Sequence, residues 1–144
     1  MSEHFVYATR DWRAAMHEIL TNLVAEHRAS FPEADFSMCE VITDVPPDGE
    51  TVVLAARITG QGVEFFEDEI AADVVIRGDH AAMLPAARLH RGRATPEDIA
   101  AQAAHSAAMA KAGRVSMHGD MRKAPKTLLH VLGKMHDHMA DITL

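Results

Sequence analysis

The chain has one cysteine in 144 residues, which excludes an internal disulfide and a cysteine-rich zinc site. Cys39 falls in a strand-like segment, so a buried, inert thiol is expected there. Positive charge is also short: 14 Lys and Arg against 21 Asp and Glu give a net charge of −7, with a sequence pI near 5.7. No basic cluster offsets that balance, which disfavours nucleic acid or an anionic membrane surface as the main partner. Apolar runs stay far below the roughly 18 residues of a membrane span, so no stable membrane insertion is expected. The start, Met1-Ser-Glu-His-Phe-Val-Tyr7, has neither the basic flank nor the apolar stretch of a secretory signal, and a reduced, cytoplasmic protein is expected. No Ser-His-Asp order, nucleotide-binding loop or paired metal motif can be read, so neither a cofactor nor a metal is expected.

What is there suits a folded domain. Hydrophobic residues at 48% and charged residues at 24% are ordinary for a globular chain, and this length closes one core. With no linker, repeat or low-complexity tract, residues 1–144 read as a single domain with its core at about 11–135. Nine methionines stand against one Trp and one Tyr. Methionine is flexible and polarizable, and it lines adaptable apolar surfaces as readily as it fills core gaps.

Periodicity orders the elements. Trp12, Met16, Ile19, Leu20, Leu23, Val24 and His27 share one face of a helix over about Asp11–Arg28, capped by Thr9 or Asp11 and ended near Pro32. Four strands follow at about Phe36–Val45, Thr51–Thr59, Val63–Glu67 and Ala72–Arg77. The turns Pro46-Pro-Asp-Gly49 and Gly60-Gln-Gly62 make the first three an antiparallel meander. Asp79 opens a helix to about His90, with Pro85 either kinking it or starting a second one. Thr95-Pro-Glu-Asp98 is a helix start with cap, proline and acids in order, leading an alanine-rich helix to Lys111 that Gly113 closes. Val115–His118 reads as the last strand. Asp120 is then expected to cap a helix reaching at least Met135, its regular part starting as late as Ala124 because of Pro125.

Ala72-Asp-Val-Val-Ile76, Gly92, Thr95-Pro96 and Gly113-Arg-Val-Ser-Met-His-Gly-Asp-Met121 occur in that order, and with the segments around them they resemble the sterol carrier protein family, the non-specific lipid-transfer domains. The resemblance covers about Asp11 to Met135. It differs from the family pattern in a longer, alanine-rich helix before Gly113, and in Arg122, Lys123 and Pro125, where small and apolar residues are usual. It implies an α+β domain: an approximately five-stranded mixed sheet, a meander plus a later strand, with helices over one face around an apolar cavity. It also implies a ligand such as an acyl chain, sterol or isoprenoid, carried and presented to a partner enzyme of biosynthesis or degradation. The wall of that cavity is expected from Met83, Leu84, Leu89, Met109, Met117, Leu128, Leu129, Leu132 and Met135.

An alternative reading is a small enzyme on the same scaffold acting on a hydrophobic or cyclic intermediate. His118 or His80 would be its base, the two gathered with Asp79 and Asp120 into a polar patch at the pocket mouth. The other histidines suggest blander roles. His105 is expected half-buried and hydrogen-bonded. His136 and His138, with Asp141 near, lie two apart and do not share a helix face, so a solvated or frayed terminus is expected there. The acids Glu64, Glu67, Asp68 and Glu69 around Phe65-Phe66 read as protection of a sheet edge.

Overall fold

The computed structural model describes residues 3–144. Helix α1, Arg10–His27, starts where the Thr9 hydroxyl accepts from the Trp12 N–H, and it buries Trp12, Met16, Leu20 and Val24, one residue per turn. Strands β1 (Asp35–Val45), β2 (Glu50–Thr59) and β3 (Gly62–Phe66) form the expected meander. Strand β4, Val74–Asp79, pairs parallel to β1, and β5, Val115–Gly119, pairs antiparallel to β4. The sheet is therefore mixed and five-stranded, in the order β3-β2-β1-β4-β5.

Side chains alternate across the sheet and define two layers. On the inner face Phe36, Ile42, Ile58 and Val74 are buried under the helices, in one cluster with Val24, Leu128 and Val131. On the outer face Cys39, Val41 and Ala55 form a smaller cluster, backed by Phe66 at the end of β3 and by Ile70 and Ala72 from the segment between β3 and β4. Cys39 is 1% exposed, as expected of a structural thiol.

Helix α2, His80–Arg88, is capped by Asp79 and runs through Pro85 as one helix, packing on β1 and β4. Helix α3, Pro96–Lys111, has the full reciprocal cap between Thr95 and Asp98. It ends in a Schellman turn: Gly113, at φ +72°, and Arg114 donate back to the Ala110 and Met109 carbonyls. Alanine side chains bury little area, and no residue of α3 is buried. Helix α4, Lys126–Ile142, packs on α1 and α2.

Two expectations about this last helix are corrected. Asp120 does not cap it; its carboxylate accepts from the Arg122 N–H and closes a single 3-10 turn, Met121–Lys123, after which Pro125 delays the helix to Lys126. Nor does the chain fray after Met135. Met139, Ala140 and Thr143 are buried, and the Phe5 and Leu144 backbones pair the two ends of the chain. The core thus reaches from Tyr7 to Thr143, wider than the expected 11–135.

Candidate functional site

The helices leave part of the inner face open. Met38 on β1, Val52 and Ala56 on β2 and Ile76 on β4 are only half-buried, although they lie mid-sheet on the helix-covered side. Leu84 of α2 and Leu129, Leu132 and Met135 of α4, which pack against the same core cluster, are half-buried as well. Fully packed layers bury such residues completely. Half-exposure of these side chains leaves apolar surface uncovered on the sheet and on the helices.

One polar group stands in that apolar layer. Glu40, in the middle of the central strand, has Leu54 and Ile76 as its cross-strand neighbours and also keeps part of its surface open. Tyr7, 3% exposed and from the segment before α1, is the neighbour that acts on its carboxyl. Burial pushes the Glu40 carboxyl up to about 7, against the opposing pull of the Tyr7 hydrogen bond. Burial and the adjacent Glu40 likewise push the Tyr7 phenol above its ordinary value. Tyr7 is itself clamped: its ring meets Trp12 edge-on at 5.0 Å and His80 at 5.1 Å, and its carbonyl accepts from His80 Nε2 at 3.3 Å. Neither Glu40 nor Tyr7 belongs to a motif readable in the sequence. An acid in register with apolar inner-face positions was the available signal.

The nine residues expected to line a cavity are distributed unevenly. Leu84, Leu129, Leu132 and Met135 are half-buried, and Met83, on α2 itself, is 8% exposed. Leu128 is fully buried in the closed core. Leu89 lies at the end of α2, Met109 is half-buried on α3, and Met117 is 54% exposed on the edge strand β5. Two shallow concavities lie elsewhere. One of ≈ 350 Å³ separates α2 from α3, between Pro85, Leu89, Ala101 and His105, and one of ≈ 240 Å³ follows the β2–β3 hairpin between Arg57, Thr59 and Glu64.

The two candidate bases do not come together. His118 is opposite Val75 on the outer face, whereas Asp79 and His80 lie at the other end of β4. Four residues of strand put about 13 Å between them, so the expected polar patch does not form. Asp79 is occupied by capping Ala82 and by a bidentate pair with Arg114 at 2.8 and 2.9 Å, which holds its carboxyl down at about 2. His80 is engaged with Tyr7, and His118 is exposed. His105, half-buried as expected, ties α3 to the Ala82 carbonyl of α2 at 2.8 Å.

The acidic and histidine groups of α4 are structural too. Asp137 accepts from the Arg91 and Gly92 N–H groups at 2.8 and 3.2 Å, Asp141 pairs with Arg93, and His136 Nε2 donates to the Leu89 carbonyl at 3.0 Å. They pin the Arg91–Arg93 turn to the last helix. Among the described residues no group of three His, Cys, Asp or Glu side chains is arranged to hold a metal ion, and no helix is long and apolar enough to cross a membrane.

No family model matches the chain, and no curated sequence does. Solved structures do. A conserved hypothetical protein of Thermus thermophilus, described as a possible sterol carrier protein, is 18% identical with a TM-score of 0.52, over 96% of this chain and 93% of that one. A crystal structure of sterol carrier protein 2 is 17% identical with a TM-score of 0.51, over 94% of this chain and 98% of that one. The chain has the sterol carrier protein 2 fold.

Proposed function

We propose that this chain binds an apolar, lipid-like molecule (an acyl chain, a sterol or an isoprenoid) between its sheet and its helices, and carries it to an enzyme that makes or degrades it. The observation that carries the reading is the open inner face. Met38, Ile76, Leu84, Leu129, Leu132 and Met135 retain exposed apolar surface where a domain of this size normally closes its core. Each ligand methylene buried there contributes about 0.8 kcal/mol, so a chain of a dozen carbons is held with few polar contacts. Likeness in fold to sterol carrier protein 2 supports the same reading. The methionines suit a wall that adapts to its guest, and the scarcity of positive charge suits a carrier that releases from anionic membranes.

Native mass spectrometry of the purified protein tests the proposal. A mass added to that of the chain and lost on extraction with organic solvent is expected. Absence of that mass, together with failure of the extracted protein to take up a fluorescent long-chain hydrocarbon, counts against carriage.

A further inference from the structure

We infer that the ≈ 350 Å³ cleft between α2 and α3 is a binding site for an uncharged polyhydroxyl ring, of the sugar or inositol class. The cleft is separate from the apolar surface proposed for the lipid, so the site stands whether or not the chain is a carrier.

Helix α3 stands off its neighbour. None of its residues is buried, and the side-chain hydrogen bond that ties it to α2 runs from His105 Nε2 to the Ala82 carbonyl at 2.8 Å. The gap that remains has two walls. On α3, Asp98, Gln102 and His105 follow one another at spacings of four and three, which puts them on one face. Ala101 lies among them, and its single methyl leaves the cleft its depth. Opposite, Pro85, Arg88 and Leu89 share a face at the end of α2.

Each polar group is engaged by the fold on one side and has capacity left. Asp98 Oδ2 accepts from the Thr95 N–H at 3.0 Å, and Oδ1 has no partner among the described residues. Gln102 Nε2 donates to the Ser106 hydroxyl at 3.1 Å, which leaves Oε1. A carbonyl only accepts, so His105 carries its proton on Nε2, and Nδ1 of the neutral ring is an acceptor. Arg88 Nε donates to the Leu144 backbone oxygen at 2.7 Å, and its terminal N–H groups remain. The cleft therefore combines three acceptors, one forked donor and a small apolar surface from Pro85, Leu89 and Ala101.

That combination excludes the simpler ligands. A hydrocarbon would desolvate Arg88 and Asp98 without pairing them. An anion meets Asp98 and a cation meets Arg88, so neither gains from both walls. A ring of hydroxyls donates and accepts at every position, matching both walls at once, and its C–H bonds rest on the apolar surface. The volume is at the lower end of the range of about 300–1,000 Å³ for small-molecule sites, which suits a single ring with its substituents.

Amide chemical shifts of the full chain, titrated with methyl β-D-glucopyranoside, methyl β-D-galactopyranoside and myo-inositol, test the site. Saturable shifts confined to residues 85–89 and 98–105 are expected for at least one of the three, with millimolar affinity, and none for hexane-1,6-diol. Gln102→Ala should weaken that binding about two- to tenfold. Ala101→Leu, an exposed position where leucine preserves the helix, should fill the cleft and abolish it. No saturation by any of the three rings overturns the site, and this arm needs no variant to fold. Saturation by the zwitterion glycine in their place, or undiminished binding in Ala101→Leu, overturns it too. Octyl β-D-glucopyranoside below its aggregation concentration separates the two sources of such a ring: affinity equal to that of the methyl glycoside indicates a free sugar, and tighter binding a glycosyl headgroup.

Discussion

The indole N–H of Trp12 donates to the hydroxyl of Thr143 at 2.9 Å, joining residues 131 positions apart in the buried interior. Thr143 Oγ1 in turn donates to the Met139 carbonyl, so the first helix is fastened to the last turn of the fourth. Thr143→Val keeps the shape and leaves the buried indole N–H without an acceptor, at a cost of about 1–3 kcal/mol. Thermal unfolding followed by circular dichroism is expected to show a Tm lowered by several degrees. An unchanged Tm would mean that the indole finds another acceptor.

Asp79 combines two tasks that substitutions separate. Asn at 79 still caps α2 but loses the bidentate pair with Arg114, whose side chain is 45% exposed; Ala loses both. The expected costs are under about 1 kcal/mol for Asp79→Asn and about 1–2 kcal/mol for Asp79→Ala. The Arg114 guanidinium holds the Asp79 carboxyl at about 2, below its ordinary 3.8. Its contribution is therefore whole above pH 4 and drains away as pH falls through 2. Urea midpoints measured from pH 5 to pH 2 should converge for wild type and Asp79→Asn at the acid end, and parallel curves would speak against the pair.

Gly119 closes β5 at φ +100°, and a Cβ built there sits 1.9 Å from the Asp73 carbonyl oxygen. Backbone meets backbone at that point, so no rotamer change relieves the clash. Gly119→Ala should cost about 3 kcal/mol or more and free the turn that leads to α4. Soluble expression at wild-type level with an unshifted Tm would contradict the close approach.

Local chemistry was legible in this chain, and layer contacts were less so. Thr9, Asp79, Thr95 and Gly113 carry cap signals that act within four residues, and each helix end they mark stands within a residue or two of expectation. Asp120 carries the same signal, but Pro125 intervenes, and the cap serves a 3-10 turn instead. The ordered end of α4 escaped notice because what holds it comes from residues 5 and 12, more than a hundred positions away. The half-exposed apolar positions were partly legible. Leu84, Leu129, Leu132 and Met135 have the right helical spacing, whereas Met117 falls on an edge strand that only the sheet order reveals. Glu40 and Tyr7 meet through tertiary packing alone.

Glu40 should make stability fall with rising pH. Its carboxyl stands at about 7 in the folded chain against 4.5 for the ordinary group, because burial disfavours the ion. The folded state therefore holds the proton more tightly. The stabilisation is complete below pH 4.5, declines through the interval to 7, and levels off above it, with a total of up to about 3 kcal/mol. Glu40→Gln cannot ionise, and its unfolding free energy should lack that decline. Denaturant curves at pH 5 and pH 8 are sufficient: an equal difference between the two pH values in both proteins would place the titration on another group.

Leu128 and Leu132 lie one turn apart on α4 and should respond in opposite ways. Leu128 is fully buried among closed-core residues, so Leu128→Ala should cost about 2–5 kcal/mol while the molecules that remain folded keep their affinity for a hydrocarbon probe. Leu132 is half-buried, on the apolar surface proposed to receive the ligand. At that position a glutamate keeps its charge near water and the fold survives, but the wall acquires an ion beside which an alkyl chain cannot be desolvated. Leu132→Glu, and Leu129→Glu beside it, should therefore retain the circular dichroism spectrum and lose probe binding by at least about tenfold. Undiminished binding in either folded glutamate variant would move the ligand away from the proposed site between sheet and helices and toward the ≈ 350 Å³ cleft between α2 and α3.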